Sequence, residues 1–297
     1  MLDWLLAYLP PRQRERARDL LVLIRMDRPI GALLLLWPTW WALWLAAKGF
    51  PPLKLLVVFT LGVFVMRSAG CAINDFADRK LDPKVQRTAG RPLAAGRVTP
   101  RDALVVFVVL LLVALGLVFL TNPLTIKLSL VGAALALLYP FAKRVTHLAQ
   151  VVLGAAFGWG IPMAFAAVTN GVPPLAWLLF LANVLFSVIY DTEYAMVDRE
   201  EDIKAGSKST AILFGDDDLM VLSVLVASFL LAMAFVGLRG NLHWLYWPAW
   251  LVAAGLLLRQ LWTMRDRSRE HCFAAFRNNN WVGGVLWLGI VAALALA

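Results

Sequence analysis

Nine apolar segments, each long enough to cross a lipid bilayer, dominate this sequence of 297 residues. A helix of roughly 20 apolar residues spans the hydrocarbon core, and inside lipid the backbone must satisfy its own hydrogen bonds. The segments cover residues 29–47, 52–74, 102–121, 124–141, 149–168, 173–190, 218–237, 244–263 and 280–296. The pattern predicts an all-α, polytopic membrane protein with about nine transmembrane helices, forming a single domain over residues 1–297.

The composition excludes an ordinary soluble protein. Hydrophobic residues make up 61% of the chain and charged residues 16%, with a mean hydropathy of +0.74. Soluble domains have about 45–50% apolar and about 25% charged residues. The net charge of +9 could indicate a nucleic-acid partner, but the positions of the basic residues indicate membrane orientation instead. We therefore expect the lipid bilayer as a partner, no nucleic acid and no obligate protein partner.

The distribution of lysine and arginine predicts the orientation in the membrane. Cytoplasmic loops of membrane proteins are enriched in these residues. Of the 28 basic residues, 22 lie in the N-terminal stretch and in the loops after even-numbered segments, and 4 lie in the opposite loops. This bias predicts a cytoplasmic N-terminus and a periplasmic C-terminus in a bacterial inner membrane.

The first 20 residues, MLDWLLAYLPPRQRERARDL, lack the pattern of a cleavable signal peptide. Their apolar stretch is short, precedes the charges and has no small-residue cleavage site. They fit a short amphipathic helix on the membrane surface, with a frayed polar terminus as the alternative.

Two acidic motifs follow the second and the sixth apolar segments. On a helix, the residues of the first would share an arc of about 100°, and those of the second an arc of about 80°. The first motif comprises Asn74, Asp75, Asp78 and Asp82, and the second comprises Asp191, Tyr194, Asp198 and Asp202. Glu193 and Glu200 would point away from this shared face. Four segments separate the motifs, so both are expected at the same side of the membrane, as a weak internal repeat.

Carboxylate and amide oxygens on one face are the ligands that Mg²⁺ prefers, and Mg²⁺ commonly shares its coordination with substrate phosphates. Two such motifs facing each other suit a bridged diphosphate. Candidate diphosphate-binding residues are Arg25, Tyr139, Lys143 and Arg144. For Lys143 and Arg144, ordinary anchoring at the cytoplasmic surface is the alternative. Arg91 and Arg97 are interpreted as loop charges rather than ligands.

Arg67 differs from the other basic residues because it lies within an apolar segment. A charge at this depth is costly and usually marks a functional site. Arg67 precedes Asn74 by seven residues, so it projects from the same helix face about two turns deeper. The alternatives are a side chain that extends to the membrane surface and a structural ion pair.

The sequence resembles the UbiA superfamily of intramembrane aromatic prenyltransferases. The stretch from Asn74 to Gly96 matches the first signature of that family, and DTEYAMVDREED matches the second. The resemblance extends from RMDRPIGALLLLWPTWWALW to FRNNNWVGGV, and it is strongest to the branch that prenylates 4-hydroxybenzoate for ubiquinone synthesis. Glu201 departs from this branch, which often has Asp there, but the negative charge is kept.

The resemblance implies nine helices around a central cavity, capped by two Asp-rich loops, with an apolar site for the prenyl tail that reaches the lipid. It implies that the cavity binds a polyprenyl diphosphate and 4-hydroxybenzoate. Asp75, Asp78, Asp191 and Asp198 would be catalytic, and Asp191 is the candidate to accept the phenol proton. Mg²⁺ would be held by Asn74, Asp75, Asp78, Asp82, Asp191, Asp198 and Asp202. Arg67 and Tyr194 would bind the acceptor, with Arg67 pairing with its carboxylate.

Other functions are also compatible with the motifs. Within the superfamily, the acceptor could be dihydroxynaphthoate, haem or a lipid alcohol. A cation-coupled transporter would also place carboxylates at a membrane cavity. The acidic residues cluster at the ends of apolar segments rather than in their middle, and this favours the enzyme.

Overall fold

The computed structural model describes residues 6, 8, 10–28 and 30–296, and this part of the chain contains helices and no β-strand. The α-helices are α1 Pro11–Leu23, α2 Ile30–Ala47, α3 Leu53–Asp78, α4 Pro100–Val118, α5 Pro123–Val145, α6 Ala149–Gly158, α7 Gly160–Thr169, α8 Pro174–Ala205, α9 Thr210–Phe214, α10 Asp218–Arg239, α11 Tyr246–Thr263 and α12 Arg269–Ala295. The all-α prediction is confirmed over this range.

Within the described range, seven helical stretches are long and apolar enough to cross a membrane. They coincide with the first seven predicted segments, and the chain is therefore a multi-pass membrane protein. The predicted segments 244–263 and 280–296 lie in α11 and α12, which are helical but not among the seven. The count of nine spans stays a prediction.

The two acidic motifs lie largely on helices rather than in loops. α3 continues beyond its apolar segment to Asp78, and α8 continues to Ala205. α8 ends where Gly206 adopts the left-handed conformation, at φ 74°, which glycine tolerates best. Both motifs are thereby attached to rigid elements.

The prediction that Asp82 shares a helical face with Asn74 is wrong. α3 ends at Asp78, and Asp82 begins a short 3-10 helix, Asp82–Lys84. The physical reason is Pro83, which has no N–H to continue the hydrogen bonds of α3 and disfavours the helical conformation of the preceding residue.

The amphipathic N-terminal helix is only partly within the described residues. α1 begins at Pro11, and its arginines 12, 14, 16 and 18 are exposed. Residues 1–5, 7 and 9, which carry most of the predicted apolar stretch, lie outside the described residues. Leu23, at the end of α1, is fully buried in an apolar cluster that also contains Ala69 of α3 and Phe107 of α4. This cluster places the end of α1 beside α3 and α4.

The main core forms between α2, α8, α10, α11 and α12. It contains the fully buried side chains Trp41, Phe186, Phe229 and Tyr246. In contrast, α4 and α5 direct many apolar side chains outwards, as expected of helices that face lipid. The outer helices therefore close one side of the bundle without adding much to its core.

Candidate active site

A polar cavity of about 510 Å³ opens between the ends of α3, α5 and α8. The lining brings together every predicted site residue except Arg144. These residues are Arg25, Arg67, Asn74, Asp75, Asp78, Asp82, Tyr139, Lys143, Asp191, Tyr194, Asp198 and Asp202. The two acidic motifs, which are far apart in the sequence, thus face one space.

In the first motif, Asp75 lies between two arginines. Arg25 Nη2 donates to both oxygens of Asp75, at 2.8 and 2.9 Å. Arg91 Nη1 donates to Asp75 Oδ1 at 3.1 Å and to Asp82 Oδ2 at 2.9 Å. The interpretation of Arg91 as an ordinary loop charge is therefore wrong. Arg97, by contrast, pairs with Asp19 outside the cavity.

Burial raises the pKa of Asp82, and the neighbouring Asp78 and Asp75 add to this effect while Arg91 opposes it. The Arg91 guanidinium therefore opposes this rise in pKa and favours the ionised form of the Asp82 carboxyl group.

The second motif has its own arginine. Arg87 Nε donates to Asp198 Oδ2 at 2.6 Å, and its guanidinium also hydrogen-bonds the Tyr194 hydroxyl and lies 4.6 Å from the centre of the Tyr194 ring. Burial disfavours the charge of Arg87, but Tyr194 and Asp198 outweigh it and raise the pKa of Arg87. We did not predict a role for Arg87, although it lies within the first family signature.

Two carboxylate oxygens at the cavity are buried and find no hydrogen-bond partner among the residues that the structure describes: Asp78 Oδ1 and Asp198 Oδ1. The other oxygen of Asp78 pairs with Lys143. Within the described part of the chain, no three acidic, histidine or cysteine side chains already form one metal-ligating cluster. The lining nevertheless offers oxygen donors from both motifs, two of them unsatisfied, and this is the donor chemistry that fits Mg²⁺.

The acidic residues predicted to point away do so. Glu193 is buried in the core, where its Oε2 accepts a hydrogen bond from Asn279 Nδ2 at 2.6 Å. Glu200 is exposed, and neither residue lines the cavity.

Glu201, which departs from the family pattern, accepts hydrogen bonds from the backbone of Gln86 and from Arg269. It therefore connects the loop after α3 to α8 and α12.

Arg144 lies apart from the cavity lining. Its Nη2 hydrogen-bonds the carbonyl of Ala77, and its guanidinium lies 5.6 Å from the Phe141 ring centre. These contacts connect α5 to the end of α3. The structure thus gives Arg144 a contact different from the predicted one with a diphosphate.

A second cavity, of about 450 Å³, extends from the polar one between α2, α3, α4, α5, α6 and α7. Its lining is almost entirely apolar. Tyr139 and Phe157 line both cavities and therefore stand at their boundary. The Tyr139 hydroxyl donates to the Gly70 carbonyl at 3.2 Å. A ligand with a charged head and an apolar tail could place its head in the first cavity and its tail in the second.

The model of the UbiA prenyltransferase family matches residues 35–293. The chain belongs to this family. A 4-hydroxybenzoate octaprenyltransferase of Alkalilimnicola ehrlichii is 57% identical over 283 residues, which cover 95% of this chain and 97% of the relative. One of Xanthomonas campestris pv. campestris is 59% identical over 282 residues, which cover 95% and 94%.

Solved structures of UbiA homologues share the fold. An apo structure from Aeropyrum pernix K1 has a TM-score of 0.78 at 24% identity, covering 89% of this chain and 98% of that one. A structure from Archaeoglobus fulgidus bound to GPP and Mg²⁺ has a TM-score of 0.71 at 18% identity, covering 93% and 99%. At these identities, the likeness concerns the fold.

Proposed function

We propose that this chain transfers a polyprenyl group from polyprenyl diphosphate to the ring carbon of 4-hydroxybenzoate ortho to its hydroxyl, releasing diphosphate, in ubiquinone biosynthesis. The observation that carries the proposal is identity of 57–59%, over nearly the whole chain, to relatives named 4-hydroxybenzoate octaprenyltransferase. The polar cavity and its apolar extension suit the two ends of a prenyl diphosphate. The transporter alternative has no comparable support.

The polar cavity would bind the diphosphate and Mg²⁺. Asn74, Asp75, Asp78, Asp82, Asp191, Asp198 and Asp202 would hold the metal, as the unpartnered oxygens of Asp78 and Asp198 suggest. The Archaeoglobus homologue bound to GPP and Mg²⁺ supports Mg²⁺ as the cofactor. When bound, Mg²⁺ neutralises negative charge on the leaving diphosphate. The residues that line the same space and would contact the phosphate oxygens are Arg25, Tyr139 and Lys143, together with Arg87 and Arg91. Arg144 also stays a candidate, although it does not line the cavity.

The acceptor would lie deeper, beside Arg67. Arg67 and Asp191 line the same cavity. The Arg67 guanidinium would bind the acceptor's carboxylate, and Tyr194 would contact the acceptor from α8. Breaking the allylic C–O bond leaves its electron pair on the diphosphate, and the ring carbon then forms the new C–C bond. The proton of that carbon passes to the phenol oxygen and restores the hydroxyl, so one proton is released overall. Asp191 would accept the phenol proton and raise the nucleophilicity of the ring.

The membrane orientation is part of the proposal. The chain would form one domain in the bacterial inner membrane, with the motif-bearing ends of α3 and α8 in the cytoplasm and the C-terminus in the periplasm. The excess of lysine and arginine in the N-terminal stretch and the even-numbered loops supports this orientation.

The test is a reaction of the purified protein with 4-hydroxybenzoate, a prenyl diphosphate and Mg²⁺. Mass spectrometry should detect the C-prenylated acid, diphosphate should be released in equal amount, and EDTA should stop both. Product formed only from dihydroxynaphthoate or from a lipid alcohol would overturn the assigned acceptor.

A further inference from the structure

Arg67 is held differently from the other basic residues of the cavity. Arg25, Arg87 and Arg91 all pair with aspartates of the motifs. Arg67 forms no such pair among the described residues, and its Nε is buried without a hydrogen-bond partner. The contacts that hold the guanidinium in place come from Gly31 of α2, Phe157 of α6 and Cys71 of its own helix α3.

The first contact is with α2 at Gly31. A Cβ atom built on Gly31 would lie 2.6 Å from Arg67 Nη2, 2.8 Å from Nε and 3.1 Å from Cζ. The guanidinium thus lies directly against the backbone of α2, and a methyl group at residue 31 would displace it.

The backbone of Gly31 does not itself require glycine. The residue is helical in the first turn of α2 and has no positive φ. In a helix, alanine is favoured over glycine by about 1 kcal/mol. The close approach of Arg67 is the feature of the structure that requires glycine here.

The second contact is with Cys71, one turn later on α3. Arg67 Nη1 donates to Cys71 Sγ at 2.9 Å, and Cys71 is 4% exposed. The guanidinium also lies 5.9 Å from the centre of the Phe157 ring. Gly31, Cys71 and Phe157 therefore confine the guanidinium on three sides, and all three residues line the polar cavity with it.

We infer that Gly31 and Cys71 are positioning residues that hold the Arg67 guanidinium for an anionic acceptor, so that α2 as well as α3 determines acceptor specificity. The inference rests on the proposed function, in which Arg67 pairs with the carboxylate of 4-hydroxybenzoate. A carboxylate bound by two parallel N–H groups tolerates little displacement of the fork. A displaced guanidinium should therefore weaken binding of the acceptor and leave binding of the prenyl diphosphate unchanged.

The test compares Gly31→Ala with Gly116→Ala in steady-state kinetics, varying each substrate in turn. Gly116 is a helical glycine of α4 at which a Cβ would meet no atom of the described residues within 4 Å, so it is the matched control. Gly31→Ala should raise the KM for 4-hydroxybenzoate about tenfold or more, because small misplacements at a bidentate site are costly. Its KM for prenyl diphosphate should stay within about twofold, as should both constants of Gly116→Ala.

Cys71→Ala carries the test if Gly31→Ala does not fold, because it removes a hydrogen-bond acceptor without adding volume. Cys71→Ala should raise the KM for 4-hydroxybenzoate about fivefold. Cys71→Ser keeps a hydrogen-bond acceptor, so its KM for 4-hydroxybenzoate should lie close to the wild-type value. Equilibrium titration with 4-hydroxybenzoate should give the same changes in Kd, independently of turnover.

Arg67→Ala separates the two hypotheses. If Arg67→Ala leaves the KM for 4-hydroxybenzoate unchanged, the assigned role of Arg67 in the proposed function fails. If Arg67→Ala raises that KM but Gly31→Ala and Cys71→Ala do not, the positioning role is refuted while the proposed function stands. Gly31→Ala should add no further change in the Arg67→Ala background, and an additive effect there would also contradict the positioning role.

Discussion

Arg91→Gln should destabilise the protein and at the same time make it more responsive to Mg²⁺. The substitution removes two charge-assisted hydrogen bonds, to Asp75 and Asp82, whose side chains are 1% and 9% exposed. Asp75 keeps Arg25, but Asp82 loses its one ion-pair partner in the described part of the chain. Each such bond contributes about 1.5–3 kcal/mol, and the cavity admits water, so we expect a total loss of about 2–3 kcal/mol.

The assay is thermal unfolding of the detergent-solubilised protein without substrate. A loss of this size should lower the apparent Tm by about 5–10 °C. Added Mg²⁺ should raise the Tm of Arg91→Gln more than that of the wild type, because Asp82 without an ion-pair partner, next to an Asp75 that keeps only Arg25, attracts a cation more strongly than the fully paired carboxylates do. Arg97→Gln is the control, since its partner Asp19 lies outside the cavity and its side chain is 48% exposed. An unchanged Tm, or an equal response to Mg²⁺, would refute the reasoning.

Three further predictions concern the apolar cavity, the ion pairs that Asp218 makes with Arg199 of α8 and with Arg267, and the topology. Gly62 lines the apolar cavity, and a Cβ on it would meet no described atom within 4 Å, so Gly62→Phe would fill part of that cavity. When the two substrates are measured side by side, kcat/KM should fall about tenfold for a long polyprenyl diphosphate and little for dimethylallyl diphosphate. Asp218→Ala should lower stability by about 3 kcal/mol in thermal unfolding, because it leaves Arg199 and Arg267 without their fully buried carboxylate. Alkaline phosphatase fused to the C-terminus should be active, because the C-terminus is proposed to lie in the periplasm. An inactive fusion, together with activity of a cytoplasmic reporter fused at the same position, would contradict the odd number of spans.

Local patterns in the sequence predicted the second motif well. Because α8 is one unbroken helix from Pro174 to Ala205, the helical repeat correctly placed Asp191, Asp198 and Asp202 on the cavity and Glu193 away from it. The helix continues because nothing between residues 174 and 205 interrupts its hydrogen bonds before Gly206. Periodicity is informative wherever a helix is continuous.

For the first motif, helical periodicity predicts only part of the arrangement. The helical repeat predicts a shared face for Asn74 and Asp82, but α3 ends before Asp82, and Pro83 is the sequence signal for that end. Arg91 reaches Asp75, 16 residues earlier, and Arg87 reaches Asp198, 111 residues later. Such contacts depend on how the loop after α3 folds over the cavity, and no local pattern encodes that path. The family signature that contains Arg87, rather than the spacing of residues, is the sequence feature that indicates a functional role for Arg87.

In the proposed function, carboxylates on one face of α8 support transfer of the prenyl group. A comparison of Asp198→Asn with Glu200→Gln tests this role most directly. The two residues are separated by one position on the same helix, and each substitution removes one negative charge, but only Asp198 lines the cavity. Formation of prenylated 4-hydroxybenzoate should fall about 100-fold or more in Asp198→Asn at saturating Mg²⁺, and should stay within about twofold of wild type in Glu200→Gln. Equal losses in both variants, or full activity of Asp198→Asn, would contradict the account.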